Sequence, residues 1–119
     1  MAKTSNGLPS KRQTISVNGL MRPAGPVKDY TIRVAGLDRT WKGLGQSQNT
    51  LTYLAAIEAM ITAHAAAVTH LTLQTPNDDV RRTATGEWEC KSLDMAHARA
   101  LYMLFKFDFD DVDWQRGPA

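Results

Sequence analysis

Apolar and polar residues alternate in the first third of the chain and then give way to a helical period. The run from Gln13 to Asn18, QTISVN, alternates and carries β-branched residues, which predicts a strand. Gly19 opens an expected turn through MRPAGP, which is dense in proline and glycine. Asp29 to Leu37 reads as a second strand with Tyr30, Ile32 and Val34 on one face. Asp38-Arg39 is the expected tight turn into a third strand, Thr40 to Leu44, so these two strands should form an antiparallel hairpin.

From Asn49 to about Val68 the period changes. Leu54, Ile57, Ile61, His64, Ala65 and Val68 recur at helical spacing, and Asn49 is a candidate N-cap. Thr69 to Gln74 reads as a fourth strand. Coming after a crossover helix, it should run parallel to an earlier strand. Asn77 caps a predicted short helix, NDDVRRTA, whose first turn holds Asp78 and Asp79 where the helix dipole favours acids. Ser92 caps a second long helix, Leu93 to about Phe105, with Leu93, Ala96, Ala100, Leu101 and Leu104 as its expected inner face. A last strand spans Val112 to Arg116. The order β-β-β-α-β-α-α-β predicts an α/β fold: a five-stranded mixed sheet flanked by helices.

Composition narrows this picture. At 119 residues with 43% apolar and 22% charged residues, the chain supports one globular domain with one core. Residues 1–12 carry no periodic pattern and hold Lys3, Lys11 and Arg12, so they read as a flexible basic N-terminal arm before a single domain over 13–119. No apolar run approaches the roughly 18 residues of a membrane span, and the N-terminus has no apolar signal region. No membrane partner and a cytoplasmic location are therefore expected. The single cysteine, Cys90, excludes an internal disulfide framework and a multi-cysteine zinc site, and packing is its simplest role. A net charge of +2 says little about partners, but Arg22, Arg33, Arg39 and Lys42 bias the first half positive while Asp108, Asp110, Asp111 and Asp113 crowd the C-terminus.

Three local patterns, in this element order, resemble type 1 ribonuclease H. Val17-Asn18-Gly19 with Pro23-Ala24-Gly25-Pro26 looks like that family's first strand, which ends in Asp-Gly before a Pro/Gly-rich turn. Ser47-Gln48-Asn49-Thr50-Leu51-Thr52-Tyr53 resembles its Thr-Asn-Asn-x-Ala-Glu-Tyr segment. Thr75-Pro76-Asn77 through Gly86-Glu87-Trp88-Glu89-Cys90-Lys91 looks like its Asp-Ser followed by Gly-x-Trp-x-x-Lys. The resemblance spans roughly residues 13–116, and the order of the motifs carries most of its specificity.

The resemblance implies enzymes that hydrolyse the RNA strand of a hybrid with two Mg²⁺ ions held by carboxylates. Here the first Asp position falls on Asn18, the Glu on Thr52 and the second Asp on Pro76. The fourth carboxylate belongs to a closing C-terminal helix, which this sequence lacks. Two cations about 4 Å apart need anionic ligands to offset their repulsion. The expectation is a catalytically inactive protein, a pseudo-nuclease, with no catalytic residue, no metal and no cofactor. Glu58 points well away from Thr52 on the helix, and Asp78 and Asp79 are explained as helix N-terminal acids.

By the same resemblance, Gln48 and Asn49 occupy positions that touch bases and ribose hydroxyls in a minor groove. Asn77 follows the second Asp, and Trp88 and Lys91 match a tryptophan and a lysine beside the DNA strand. Arg81, Arg82 and Arg22 could add phosphate contacts. The plain alternatives stay open: Asn49 as a helix cap, Trp88 filling a gap, and Lys91, Arg81 and Arg82 as solvated charges. His64, on the apolar helix face, reads as a core or boundary residue, and Trp41 and Trp114 as packing residues. The functional expectation is binding of a duplex with A-form character, RNA/DNA hybrid or double-stranded RNA, without cleavage. The alternative is a protein-interaction module or non-catalytic subunit, with a partner protein or homodimer drawn to an incompletely covered sheet face.

Overall fold

The computed structural model describes residues 10–24, 27–42 and 47–119. Its elements run β1 (Arg12–Ala24), β2 (Val27–Val34), β3 (Leu37–Lys42), α1 (Gln48–Ala65), β4 (His70–Thr75), α2 (Asp78–Ala84), α3 (Leu93–Lys106) and β5 (Asp111–Arg116). The expected element order and mixed sheet are both present. The sheet order is β3-β2-β1-β4-β5, with β1, β2 and β3 antiparallel and β4 and β5 parallel to β1. Asn77 caps α2 by accepting the Val80 N–H at 3.1 Å, and Ser92 caps α3 by accepting the Met95 N–H at 3.2 Å, as their sequence contexts predict.

Several boundaries differ from expectation, each for a local reason. Met21–Ala24 are not a turn but the end of β1, paired with Val27–Tyr30. Gly19 directs its N–H away from β2, to the Thr52 hydroxyl, and Pro23, four residues on, shares that orientation. The proline therefore removes no bond from the β1–β2 ladder. The hairpin turn is Ala35-Gly36, with φ of +52° and +80°. Two consecutive positive φ values make the tight turn that matches strand twist. Asp38 and Arg39 consequently lie in β3, where Asp38 takes both prongs of Arg33 at 2.6 and 3.0 Å.

The cap of α1 is Ser47, which accepts the Thr50 N–H at 3.1 Å, and not Asn49, which lies inside the first turn with its side chain available elsewhere. The helix ends at Ala65, short of Val68, because Ala67 turns left-handed at φ +62°. The Ala67 N–H returns to His64 O and the Val68 N–H to Ala63 O, both at 3.0 Å, closing the helix end, while Lys11 Nζ adds a bond to Ala66 O at 2.7 Å.

The buried faces of both long helices also differ from expectation. In α1, Leu51, Tyr53, Ala55, Ala56, Ala59, Met60 and Ala63 are buried, while Ile61, His64 and Ala65 face outward. The helix packs on β1 and β2 on one side and on α3 on the other, so a single apolar stripe does not describe it. In α3 the buried residues are Met95, Ala98 and Tyr102, and Leu93, Leu101 and Leu104 are exposed. Small Ala98 lets α3 approach α1, and Tyr102 fills the space beyond, its hydroxyl accepting Trp114 Nε1–H at 2.9 Å. Tyr53, Tyr102 and Trp114 form one aromatic cluster with centroids 5.6–6.4 Å apart. Trp114 and half-buried Cys90 thus pack as expected; the Trp41 side chain lies outside the described residues. His64 is exposed and not the core or boundary residue expected, with its ring edge-on to buried Phe109 at 6.1 Å.

The helices share one face of the sheet, the face that carries Ile15, Val17, Leu71, Leu73 and Val112 into the core. Across β1, β4 and β5 the opposite face presents three polar rows: Arg12, His70 and Asp111; Thr14, Thr72 and Asp113; Ser16, Gln74 and Gln115. Among the described residues of these three strands, this face is hydrophilic and exposes no apolar patch. The expectation that it would draw a partner by being uncovered therefore lacks its driving force. Among the described residues no helix is long and apolar enough to cross a membrane.

Candidate nucleic-acid interface

Close approach of α1 to β1 creates the site. A Cβ at Gly19 would stand 2.4 Å from Leu51 Cβ, 2.5 Å from Thr52 N and 2.7 Å from Gln48 O, so only glycine lets the first turn of α1 rest on the strand. That contact brings Asn18, buried in the middle of β1, beside Thr52, which is fully buried. The loop after β4 closes the corner with Pro76 and Asn77. The three positions that sequence patterns align with metal-binding carboxylates therefore lie on the elements that meet at this corner.

A neutral hydrogen-bond network fills the corner. The Thr52 hydroxyl accepts the Gly19 N–H at 2.9 Å and Asn77 Nδ2–H at 3.1 Å. Its own proton goes to Gln48 O at 2.9 Å, with Asn18 Oδ1 at 3.5 Å. Asn77 Nδ2 donates a second bond to Asn49 Oδ1 at 2.9 Å while Asn77 Oδ1 caps α2. A pair of magnesium ions does not fit these side chains. Asn18 and Thr52 are uncharged, the Thr52 oxygen is already committed to two donors, and Pro76 offers no ligand atom.

Of the five residues proposed for binding, Asn49, Trp88 and Lys91 share one cleft, Asn77 is tied to it through Asn49, and Gln48 lies outside its lining. Gln48, exposed, and Asn49, half-buried, open α1, and Asn49 is bonded to Asn77. Asn49, Trp88 and Lys91 line one cleft of about 120 Å³ between the start of α1, α2 and α3. Trp88 is 46% exposed and does not plug the core. Its N–H is held by Arg82 O at 3.1 Å, and the Arg82 guanidinium sits 4.7 Å from the ring centroid.

Sequence patterns did not single out the rest of the cleft lining: Asp79, Thr83, Glu89 and Met95. Asp79 and Thr83 lie one turn apart on α2, and that i, i+4 spacing was the available signal. Thr83 shares a bond of 2.7 Å with the Tyr53 hydroxyl, and its carbonyl accepts Arg99 Nε–H at 2.7 Å, so the cleft wall is rigidly backed. Burial pushes the Tyr53 phenol up to about 12, so it stays protonated there.

Arg81 and Arg82 are not free solvated charges. Both bond Asp78, Arg81 at 2.6 and 2.9 Å and Arg82 at 2.7 Å, and these bonds hold the Asp78 carboxyl below its usual range. Glu58 pairs with Arg39 of β3, which accounts for its direction away from Thr52. The Arg22 side chain lies outside the described residues. With Asp79 and Glu89 opposite Lys91, the cleft is close to neutral and slightly acidic.

Sheet order, crossover helix and the corner between α1 and the β4 loop together define a ribonuclease H-like fold. Solved structures agree. The chain is similar to RNase H1 from the halophilic archaeon Halobacterium salinarum (TM-score 0.72, 18% identity, 90% of this chain and 86% of that one). It is similar also to the N-terminal RNase H domain of a Mycobacterium tuberculosis protein, solved as a fusion with maltose-binding protein (TM-score 0.67, 14% identity, 88% and 82% covered). A third is LC11-RNase H1, isolated from compost and solved in complex with RNA/DNA hybrid (TM-score 0.69, 12% identity, 88% and 84% covered). No family profile matches the chain, and no curated protein matches it significantly in sequence.

Proposed function

We propose that this protein binds nucleic-acid duplexes of A-form character, RNA/DNA hybrid or double-stranded RNA, and does not cleave them. The observation that carries the reading is the meeting of Asn49, Trp88 and Lys91 in one cleft, beside a corner where Asn18, Thr52 and Asn77 close a neutral network. Gln48 and Asn49 offer amide donors and acceptors suited to ribose 2′-hydroxyls and base edges. Trp88 offers an exposed ring for a sugar or base, and Lys91 a cation for a phosphate. The fold's likeness to an RNase H1 solved with hybrid supports the choice of ligand. Asp79 and Glu89 keep the electrostatic attraction small, so binding is modest and rests on shape and polar contacts. Absence of anionic ligands at positions 18, 52 and 76 supports the lack of cleavage.

Gel-shift titrations with hybrid, double-stranded RNA and double-stranded DNA at two salt concentrations test the binding. Retardation of the first two at low salt is expected, and none for any duplex would overturn the reading. Incubation of labelled hybrid with Mg²⁺ or Mn²⁺ tests the rest. Intact substrate is expected, and specific cleavage lost in Asp78→Asn or Asp79→Asn would refute the inactive assignment.

A further inference from the structure

Large apolar side chains recur on the exposed face of α3, one at its start and three toward its end. Leu93 is 70% exposed, Leu101 47%, Leu104 65% and Phe107 68%, and the helical period sets them on one side with His97 and Ala100 between. A stripe of this kind, about 21 Å long at 1.5 Å per residue, has the form of a surface that takes a second helix. It lies apart from the cleft, whose one α3 residue, Met95, belongs to the buried side.

Charge decides the occupant. Exposed Asp94 borders the stripe in its first turn, and exposed Asp108 follows directly on Phe107. The cations of the helix are turned elsewhere. Arg99 bonds Thr83 O, and half-buried Lys106 follows buried Tyr102 by one turn. A second copy of this chain placed antiparallel across the stripe would bring Asp94 of one molecule toward Asp108 of the other. A parallel arrangement would set each acid opposite itself. Either pairing sets like charges together, whereas a partner with basic residues at both ends of its apolar stripe meets an acid at each.

We infer that α3 docks an amphipathic helix of another protein, one whose apolar stripe is flanked by lysine or arginine. Two labelled 18-residue peptides test this, one with a leucine stripe flanked by lysines and one with the same stripe flanked by glutamates, by fluorescence anisotropy and NMR shift mapping on the full chain. The lysine peptide should bind, with shifts confined to residues 93–108, and the glutamate peptide should bind at least tenfold more weakly. Leu101→Ser/Leu104→Ser, at positions 47% and 65% exposed, should abolish binding while lowering the melting temperature by only a few degrees. Asp94→Asn/Asp108→Asn should weaken it several-fold and flatten its salt dependence. Equal binding of both peptides, or shifts centred on residues 48–49 and 88–91, would overturn the proposal. So would a dimer by sedimentation that Leu101→Ser/Leu104→Ser dissolves.

Discussion

Asn77 Nδ2 donates to Thr52 Oγ1 at 3.1 Å, and through this bond the loop after β4 is tied to a buried hydroxyl on α1. One amide thereby joins three elements: its oxygen caps α2, and its nitrogen holds Thr52 and Asn49. The threonine in turn receives the Gly19 N–H of β1. A set of uncharged groups on three elements thus ties the corner together.

Thr52→Val keeps the shape and removes the hydroxyl. It strands the buried Gly19 N–H and one Asn77 N–H, so a loss of about 2 kcal/mol is expected from urea unfolding. Thr62→Val, at an exposed position of the same helix, serves as the control and should change stability by less than about 0.5 kcal/mol.

Gly19→Ala puts a methyl group against backbone atoms of α1 at 2.5 and 2.7 Å, and neither can swing aside. The strand and helix must separate, at an expected cost of about 3 kcal/mol or more. Thermal unfolding would read this directly, and a melt within a few degrees of the parent would refute the close contact.

Ala67 holds a left-handed conformation that L-residues resist by about 1 kcal/mol. Ala67→Gly should therefore raise stability by up to about that amount, measured as a shift in the urea midpoint at constant slope.

Burial pushes the Tyr53 phenol up to about 12 from its ordinary value of 10.0, and raises Tyr102 in the same direction. Between these values the unfolded chain has released the proton and the folded chain retains it, so stability falls as pH rises. This contribution is complete below about pH 10 and is lost through about pH 12. Tyr53→Phe should flatten the alkaline loss, checked by melting temperatures across that range alongside phenolate absorbance.

Lys91→Ala should weaken hybrid binding similarly for all sequences and reduce the slope of log affinity against log salt by about 1. Trp88→Ala should lower affinity by roughly tenfold with little change in that slope, since stacking involves no counterion release. Equal slopes for Lys91→Ala and the parent would remove Lys91 from the phosphate role.

Local signals made much of the fold legible. Asn77 and Ser92 cap within three residues of themselves, and alternation along β4 and β5 survives in their burial. Boundaries failed where a residue type suits two settings. Asp38-Arg39 look like a turn yet pair across strands, while Ala35 enters a conformation its sequence does not advertise. Pro23 is read as a breaker until the Gly19 N–H shows which way that edge points. Hydrophobicity alone favours the leucines of α3 over Met95, Ala98 and Tyr102 as its inner face, but fit to α1 selects the smaller and flatter set. In the site, motif spacing marked Gln48, Asn49, Asn77, Trp88 and Lys91. Bonds between residues 25 and 28 positions apart leave no trace in sequence, so the pairing of Asn49 with Asn77 is visible only in the fold.

The polar rows have a consequence for self-association through the backbone. β5 is a sheet edge, and its unpaired side is open to any extended chain. Asp111 and Asp113 alternate along that strand, with desolvation and the neighbouring Asp111 carboxylate already raising Asp113. A second β5 laid parallel and in register would set Asp111 on Asp111 and Asp113 on Asp113. The strand thus discourages fibril-like growth of the sheet by the charges it carries.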